Sequence, residues 1–398
     1  MIDWLARHDP KRVFLETPFG SHTYGDVLES LHNRPVAGTE VLRPRLTAGS
    51  VVDILAVMSL GSAVIVGPDA DAPGDLDPGG AATVVFTSGS TGRSKGVRLT
   101  RDNWEAAVVA SQVHLGNSPD DVWLLGMGMH RVGGIAIVLR SARTGGTVRM
   151  PAKFDAAEFA GGLRSGVTIA SLVPTMLHRM LDIDPGPYRG VRAVLVGGGP
   201  IPDGLLERAV AAGLPVLPSY GMTETCGQVA TLRPGSAIEK KVHPLPGVEV
   251  RIEPDQRIAV RGRMVSPGYV GEPDRLSAGW FLTGDLGALD TDGALRVLGR
   301  ADDVIVSGGV NIDPGVIEAA LDEIAGVESA LVFGMPSPEW GMEVACVYVG
   351  SLVPEDVEVR LRERLSGPLI PKRWHRVDAL PTTDMGKPDR SQAARMLS

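Results

Sequence analysis

From residue 122 to residue 212 the chain alternates short apolar runs with amphipathic ones, as in VTIASLVP, TMLHRMLD and VRAVLVGGG. The β-branched runs read as buried strands, and apolar residues spaced three and four apart read as helices. An alternation of this kind favours parallel βα units, with helices covering a central sheet. From about Gly247 the texture changes. The segments VEVRIEP, RIAVRG, WFLTGDLG and LRVLG are short strands broken by turns, which predicts a small antiparallel, barrel-like section. After Arg300 a smaller α+β unit is expected, with GVIEAALDEIAG and VEVRLRERLSG helical and SALVFGM and VACVYVG extended.

A chain of 398 residues is too long for one small core and fits two or three domains. With 43% hydrophobic and 22% charged residues it has the balance of a globular protein. A net charge of −8 lacks the electrostatic footprint of a nucleic-acid binder, so no nucleic-acid partner is expected. No apolar run reaches the roughly 18 residues of a membrane span, and MIDWLARHDPKR lacks a signal-peptide core. Two cysteines, Cys226 and Cys346, are too few for a disulfide framework or a zinc cage. The expected location is cytoplasmic.

The stretch TVVFTSGSTGRSKGVRLT, residues 83–100, carries the first chemistry. Its opening is a strand, Ser88 to Gly92 must turn, and Val97 and Leu99 resume an alternating pattern, so strand, loop, strand is expected. Such a loop can aim backbone N–H groups and hydroxyls at an anion, with Lys95 at its rim. It is not a Walker loop, because Lys95 precedes Gly96 rather than following a Gly and leading into Ser or Thr. Nor does it carry the G-x-G-x-x-G fingerprint of dinucleotide folds. A plain Gly/Ser surface loop is the bland alternative. The next segment, DNWEAAVVASQVHLG, has helical spacing with Asp102 as its expected N-cap.

The run from Thr87 through SGSTGRSKGV resembles the phosphate loop of the acyl-adenylate-forming (AMP-binding) superfamily, which includes the acyl-CoA synthetases. SYGMTETCGQ is similar to that superfamily's second signature. The resemblance implies Tyr220 and Gly221 against the adenine, Thr223 at the α-phosphate and Glu224 as the Mg²⁺ ligand. Alone, a TET run reads as a helix cap. VGGGPIP is similar to the adenine-binding turn and places Gly198 and Gly199 there, although GGGP by itself is only a turn. GWFLTGDLG supplies Asp285, implied at the ribose hydroxyls, and GRADDVIVSGGVNIDP supplies Arg300 at the ribose, Asp302 at a hinge, and Gly308 and Gly309 along a CoA tunnel. PTTDMGKPDR places Lys387 at the position of the superfamily's catalytic lysine.

His130, in LGMGMHRVGG, is implied as a gate beside the carboxylate substrate, where a lone His otherwise reads as structural. Arg131 beside it can face a second carboxylate or solvent. Acyl-pocket candidates by position are His130, Gly133, Gly134, Ser171, Thr175, Gly198 and Gly221. The phosphate-binding residues are then Thr87, Ser88, Gly89, Ser90, Thr91, Gly92 and Lys95.

The resemblance implies an α/β fold. Residues 1–299 would form a large domain of βα-layered subdomains with a small barrel-like one, residues 300–302 a hinge, and residues 303–398 a mobile α+β domain. It also implies a two-step acid–CoA ligase with ATP and CoA as co-substrates, Mg²⁺ as cofactor and a small carboxylic acid as partner. Superfamily members are often dimers, which makes a homodimer one option here and leaves the oligomeric state open. The phosphate loop begins at Thr87, far earlier than is usual, so the front is shortened. That compactness, with HRVGGIAIVLRSARTGG, KFDAAEFAGGL and VLGRADDVIVSGG, is similar to the o-succinylbenzoate–CoA ligases of menaquinone biosynthesis, especially short actinobacterial ones. The alternatives are another aromatic or fatty acid, or an idle AMP-binding homologue.

Overall fold

The computed structural model describes residues 1–36, 38–59, 64–66, 77–88, 94–382 and 388–397. Gly89, Ser90, Thr91, Gly92 and Lys387 lie outside the described residues. The predicted alternation becomes a mixed nine-stranded sheet. Its parallel core runs in the order Val216–Tyr220, Ala193–Gly197, Ile169–Leu172, Val122–Leu124, Thr147–Arg149 and Val13–Thr17. Helices Val132–Thr144, Ala156–Arg164, Pro174–Ile183 and Asp203–Ala211 form the crossovers between these strands. From Val122–Leu124 the chain crosses to Thr147–Arg149 on one side and then to Ile169–Leu172 on the other. Reversals of this kind open a crevice at the strands' carboxyl ends, the usual place for a ligand in an open α/β sheet.

A second, five-stranded sheet holds the hairpin of Thr83–Ser88 and Ser94–Leu99, paired antiparallel from Thr83↔Leu99 to Ser88↔Ser94. The expected strand–loop–strand is thus present in its two strands. Trp104, fully buried, donates its indole N–H to Thr83 Oγ1 at 2.8 Å and locks the following helix, Arg101–Leu115, against the hairpin. Removing such a side chain typically costs about 3–5 kcal/mol. The N-cap of that helix is Thr100 rather than Asp102. Thr100 has the extended backbone that a cap needs and exchanges hydrogen bonds with Asn103, while Asp102 lies inside the first turn. The Asn103 amide also reaches the carbonyls of Arg263 and Val265, at 2.8 and 2.9 Å.

The antiparallel section is a four-stranded sheet, Glu249–Ile252, Arg257–Arg261, Phe281–Leu289 and Leu295–Arg300. Beyond it, Ile305–Ser307, Val310–Ile312, Gly341–Gly350, Val327–Ser337 and Arg373–Arg376 make a further sheet, covered by helices Pro314–Asp322, Pro354–Arg362 and Arg390–Met396. The two buried clusters of this last unit draw only on residues from Ile305 onward. No helix among the described residues is long and apolar enough to cross a membrane.

Candidate active site

The carboxyl ends of the parallel strands bring four of the expected segments to one edge. The strand Val122–Leu124 runs into the loop that carries His130, and Ile169–Leu172 into Val173 and Pro174. Ala193–Gly197 runs into Gly198 and Gly199, and Val216–Tyr220 into Gly221. Gly198 sits at φ +84° within reach of Val173, so the turn crosses close to the neighbouring strand's end. At Gly221 the constraint is contact rather than φ. A Cβ there would lie 1.5 Å from the Gly227 carbonyl oxygen, because the chain doubles back on itself between Tyr220 and Val229. Thr223–Thr225 forms the single 3-10 turn inside that loop, with Cys226 in the left-handed region at φ 53°.

Three of the expected polar groups meet. The Tyr220 hydroxyl donates to Asp285 Oδ2 at 2.8 Å, and Arg300 faces Oδ1 at 3.5 Å across the strand pair Asp285↔Arg300. Burial first, and then the Asp285 charge, push the Tyr220 phenol well above its ordinary range, so it remains a donor. Arg300 also stands 3.7 Å from Asp302. In the last unit, Gly308 and Gly309 form the two-residue turn between Ile305–Ser307 and Val310–Ile312, both at positive φ. The Gly308 N–H donates to the Trp340 carbonyl at 3.0 Å.

Glu224 meets a residue that no motif had flagged. Tyr269 donates its hydroxyl to Glu224 Oε1 at 2.8 Å. Lys95, on the hairpin, pairs with Glu272 at 3.3 Å, and Thr87 lies opposite Lys95 in the hairpin register. Among the described residues no three His, Cys, Asp or Glu side chains converge to cage a metal. The donor set therefore suits a hard divalent cation held by one carboxylate and by substrate phosphates, as Mg²⁺ usually is.

His130 is half-buried, and its ring lies over the backbone of Gly128, where a Cβ would stand 2.3 Å from Cε1. Burial, reinforced by Arg131, lowers its pKa and favours the neutral ring. A second residue missed in the sequence lies one helix further on. Arg140 is buried, with its guanidinium 5.6 Å from the Trp123 ring centre and donating to Gln228 Oε1 at 2.6 Å. Among the described residues its Nε has no partner, and no carboxylate pairs with it. Burial lowers its pKa to about 10. The LRSARTGG pattern held an Arg at helical spacing, but nothing in it marked that Arg as buried. Both cysteines are fully buried and their thiols are pushed up by burial, which leaves no reactive thiolate at either position.

Residues 8–272 match the AMP-binding enzyme family, and residues 316–387 match the AMP-binding enzyme C-terminal domain. The chain belongs to the AMP-binding enzyme family. Within it, the chain is 37% identical over 361 residues to the 2-succinylbenzoate–CoA ligase of Listeria monocytogenes, covering 87% of this chain and 77% of the relative. Its structure superposes on o-succinylbenzoate CoA synthetase from Bacillus subtilis in complex with the acyl-adenylate intermediate at TM-score 0.86, with 27% identity over 98% of this chain and 97% of that one. The complex of the same Bacillus subtilis enzyme with ATP and magnesium ion gives TM-score 0.85 and 26% identity, over 98% of each chain. The α/β fold with a large N-terminal and a small C-terminal part is that of adenylate-forming enzymes.

Proposed function

We propose that the chain is an AMP-forming acid–CoA ligase acting on o-succinylbenzoate, in the menaquinone pathway. In the first step a carboxylate oxygen of the acid attacks the α-phosphate of ATP, giving acyl-AMP and expelling pyrophosphate. In the second the CoA thiol attacks the acyl carbon, forming the thioester, losing its proton and releasing AMP. Charge gathers on phosphate oxygens in the first step, so the protein's contribution is electrostatic and positional.

The residue roles follow the chemistry. Thr87, Ser88, Lys95 and the loop of residues 89–92 hold the β- and γ-phosphates, and Thr223 and Lys387 meet the α-phosphate. Mg²⁺, when bound at Glu224, supplies neutralising charge to the phosphates. Gly198, Gly199, Tyr220 and Gly221 take the adenine, Asp285 and Arg300 the ribose, and Gly308 with Gly309 the pantetheine arm of CoA. His130, kept neutral by burial, closes the acid's side of the crevice. The two steps need different surroundings at one centre. Residues 303–398 would therefore turn about a hinge at residues 300–302, withdrawing Lys387 and admitting CoA. The reaction belongs in the cytoplasm, where ATP and CoA are supplied, and the active species is taken to be a homodimer, which sedimentation would check.

The observation that carries the choice of acid is the buried cation of Arg140, which pairs with no carboxylate among the described residues. o-Succinylbenzoate has two carboxylates. One is consumed by adenylation, and the other needs a permanent counter-charge in a dry pocket. A buried guanidinium with an unmet N–H, bonded to Gln228 of the same loop as Tyr220, offers that charge. Incubation with ATP, Mg²⁺, CoA and o-succinylbenzoate, beside benzoate and medium-chain fatty acids, tests the reading by product mass. o-Succinylbenzoyl-CoA and AMP far ahead of the other thioesters is the expected result. A preference for another acid overturns the substrate, and no AMP with any acid overturns the activity.

A further inference from the structure

The short segment of residues 266–269 holds Glu224 by both its backbone and its side chain. The Ser266 N–H donates to the Glu224 carbonyl at 2.7 Å, and the Tyr269 hydroxyl donates to Glu224 Oε1 at 2.8 Å. The same segment is a strand of the phosphate-loop sheet. Gly268–Tyr269 pairs with Ser94–Leu99 at Gly268↔Arg98 and Tyr269↔Val97, the Val270 N–H donates to the Gly96 carbonyl at 2.9 Å, and Ser266 Oγ donates to the Arg98 carbonyl at 2.6 Å. Two cations stand near the Tyr269 ring, Lys95 Nζ at 5.1 Å and Arg275 Cζ at 4.8 Å from its centre. Glu272 joins those two cations, at 3.3 Å from Lys95 and 2.7 Å from Arg275.

We propose that Tyr269 is a positioning residue for metal-assisted ATP binding. It fixes the Glu224 carboxylate in one rotamer and ties it to the hairpin that carries the phosphate loop, so that the carboxylate is already in place to hold a cation when the nucleotide arrives. Three properties of the contact support this role. The hydroxyl is a donor only toward a single oxygen, so it orients the carboxylate without neutralising it. The ring carries Lys95 and Arg275 within cation–π range, which favours the placement that brings its hydroxyl to Glu224. The strand pairing makes the hairpin and Glu224 move as one body, and a carboxylate already in place loses no rotamer entropy when the cation binds. A Glu left to rotate would sacrifice that preorganisation.

This inference rests on the adenylation reading above, and the test separates the two. ATP affinity is measured by calorimetry with Mg²⁺ and again with chelator, on the wild type, Tyr269→Phe, Glu224→Gln and the double variant. Phe keeps the ring near the two cations and removes only the hydroxyl. The wild type should bind ATP more tightly with Mg²⁺. Tyr269→Phe should lose about fivefold to tenfold of that Mg²⁺-dependent gain, with the affinity in chelator unchanged. In the Glu224→Gln background the Phe substitution should add nothing further, since its effect passes through that carboxylate. An equal loss with and without Mg²⁺, or additive effects of the two substitutions, overturns the role of Tyr269. A wild type whose ATP binding ignores Mg²⁺ overturns the adenylation reading, and this inference with it.

Discussion

The Tyr220 hydroxyl donates to Asp285 Oδ2 at 2.8 Å, while Arg300 reaches the other oxygen of the same carboxylate from the adjacent strand at 3.5 Å. A residue at the end of a parallel strand of the large sheet thereby orients an acid on the antiparallel sheet. Asp285 is largely buried and Arg300 mostly exposed, so the hydroxyl is the stronger of the two restraints. Tyr220→Phe should raise KM for ATP about threefold to tenfold, the usual worth of one hydrogen bond to a charged group. kcat should change little. Steady-state kinetics at saturating acid and CoA measure both, and an unaltered KM would remove Asp285 from nucleotide binding.

Gly221 makes a sharper test of the fold around the site. A methyl group there would meet the Gly227 carbonyl at 1.5 Å and Gln228 Cα at 2.9 Å, both backbone atoms that cannot rotate aside. Gly221→Ala should cost more than the about 1–3 kcal/mol typical of an overpacked core, because a whole turn must part. Gly199→Ala, where nothing lies within 4 Å, should be tolerated in comparison. Paired denaturation curves decide, and equal stabilities would mean that the two loop arms are not back to back.

How much of this was legible in the sequence depended on the range of the interaction. The βα alternation gave the parallel sheet, since strand and helix periods are local. The hairpin at residues 83–99 was likewise written in its own residues. Asp102 suits a cap by residue type, but Thr100 holds the position by its extended backbone and its exchange with Asn103. Tyr269 and Arg140 were unreadable for a different reason. Each matters through a partner far along the chain, Glu224 for one and Gln228 for the other, and a lone Tyr after Gly or an Arg at helical spacing carries no sign of burial.

Lys387 lies outside the described residues, so its test is purely chemical. If its charge serves the α-phosphate during adenylation, Lys387→Ala should cut acyl-AMP formation by about 10²–10³-fold, the cost of losing one such donor. Thioester formation from supplied acyl-AMP should continue at close to the wild-type rate. Single-turnover assays of the two half-reactions make the comparison. Equal losses in both would contradict the assigned role.

Glu318 gives the small C-terminal unit a pH dependence of its own. Its carboxylate accepts from the Val332 N–H and from Arg390, each at 2.8 Å, and Arg390 also stands 3.5 Å from Asp303, next to the proposed hinge. Burial dominates over the Arg390 charge and raises its pKa from 4.5 to about 7. A carboxyl raised in the folded state binds its proton more readily when folded. Its contribution to stability is therefore full below about pH 4.5 and lost as pH rises through about 7. Between those limits the unit should weaken by roughly 1–3 kcal/mol. Glu318→Gln, which cannot ionise, should flatten that slope. Melting curves from pH 5 to pH 8 would reject the idea if both proteins weaken in parallel.

Arg140 allows a test in which activity and stability move in opposite directions. Its guanidinium is buried against Trp123, shares Gln228 with the Ser111 hydroxyl, and leaves Nε unpaired. A buried cation without an acid is costly to the free protein, so replacing it with an apolar side chain of similar length should leave stability unchanged or raise it. Arg140→Met should therefore melt no lower than the wild type. If that cation receives the second carboxylate of o-succinylbenzoate, the same variant should lose about 10²-fold or more in kcat/KM for this acid, since the substrate's charge would then be buried alone. The loss should be far smaller for a monocarboxylic acid, which places no charge there. A variant that melts lower and loses both acids alike would make Arg140 a structural residue. The specificity for a dicarboxylate would then have to come from elsewhere in the crevice, with Arg131 beside His130 the first place to look.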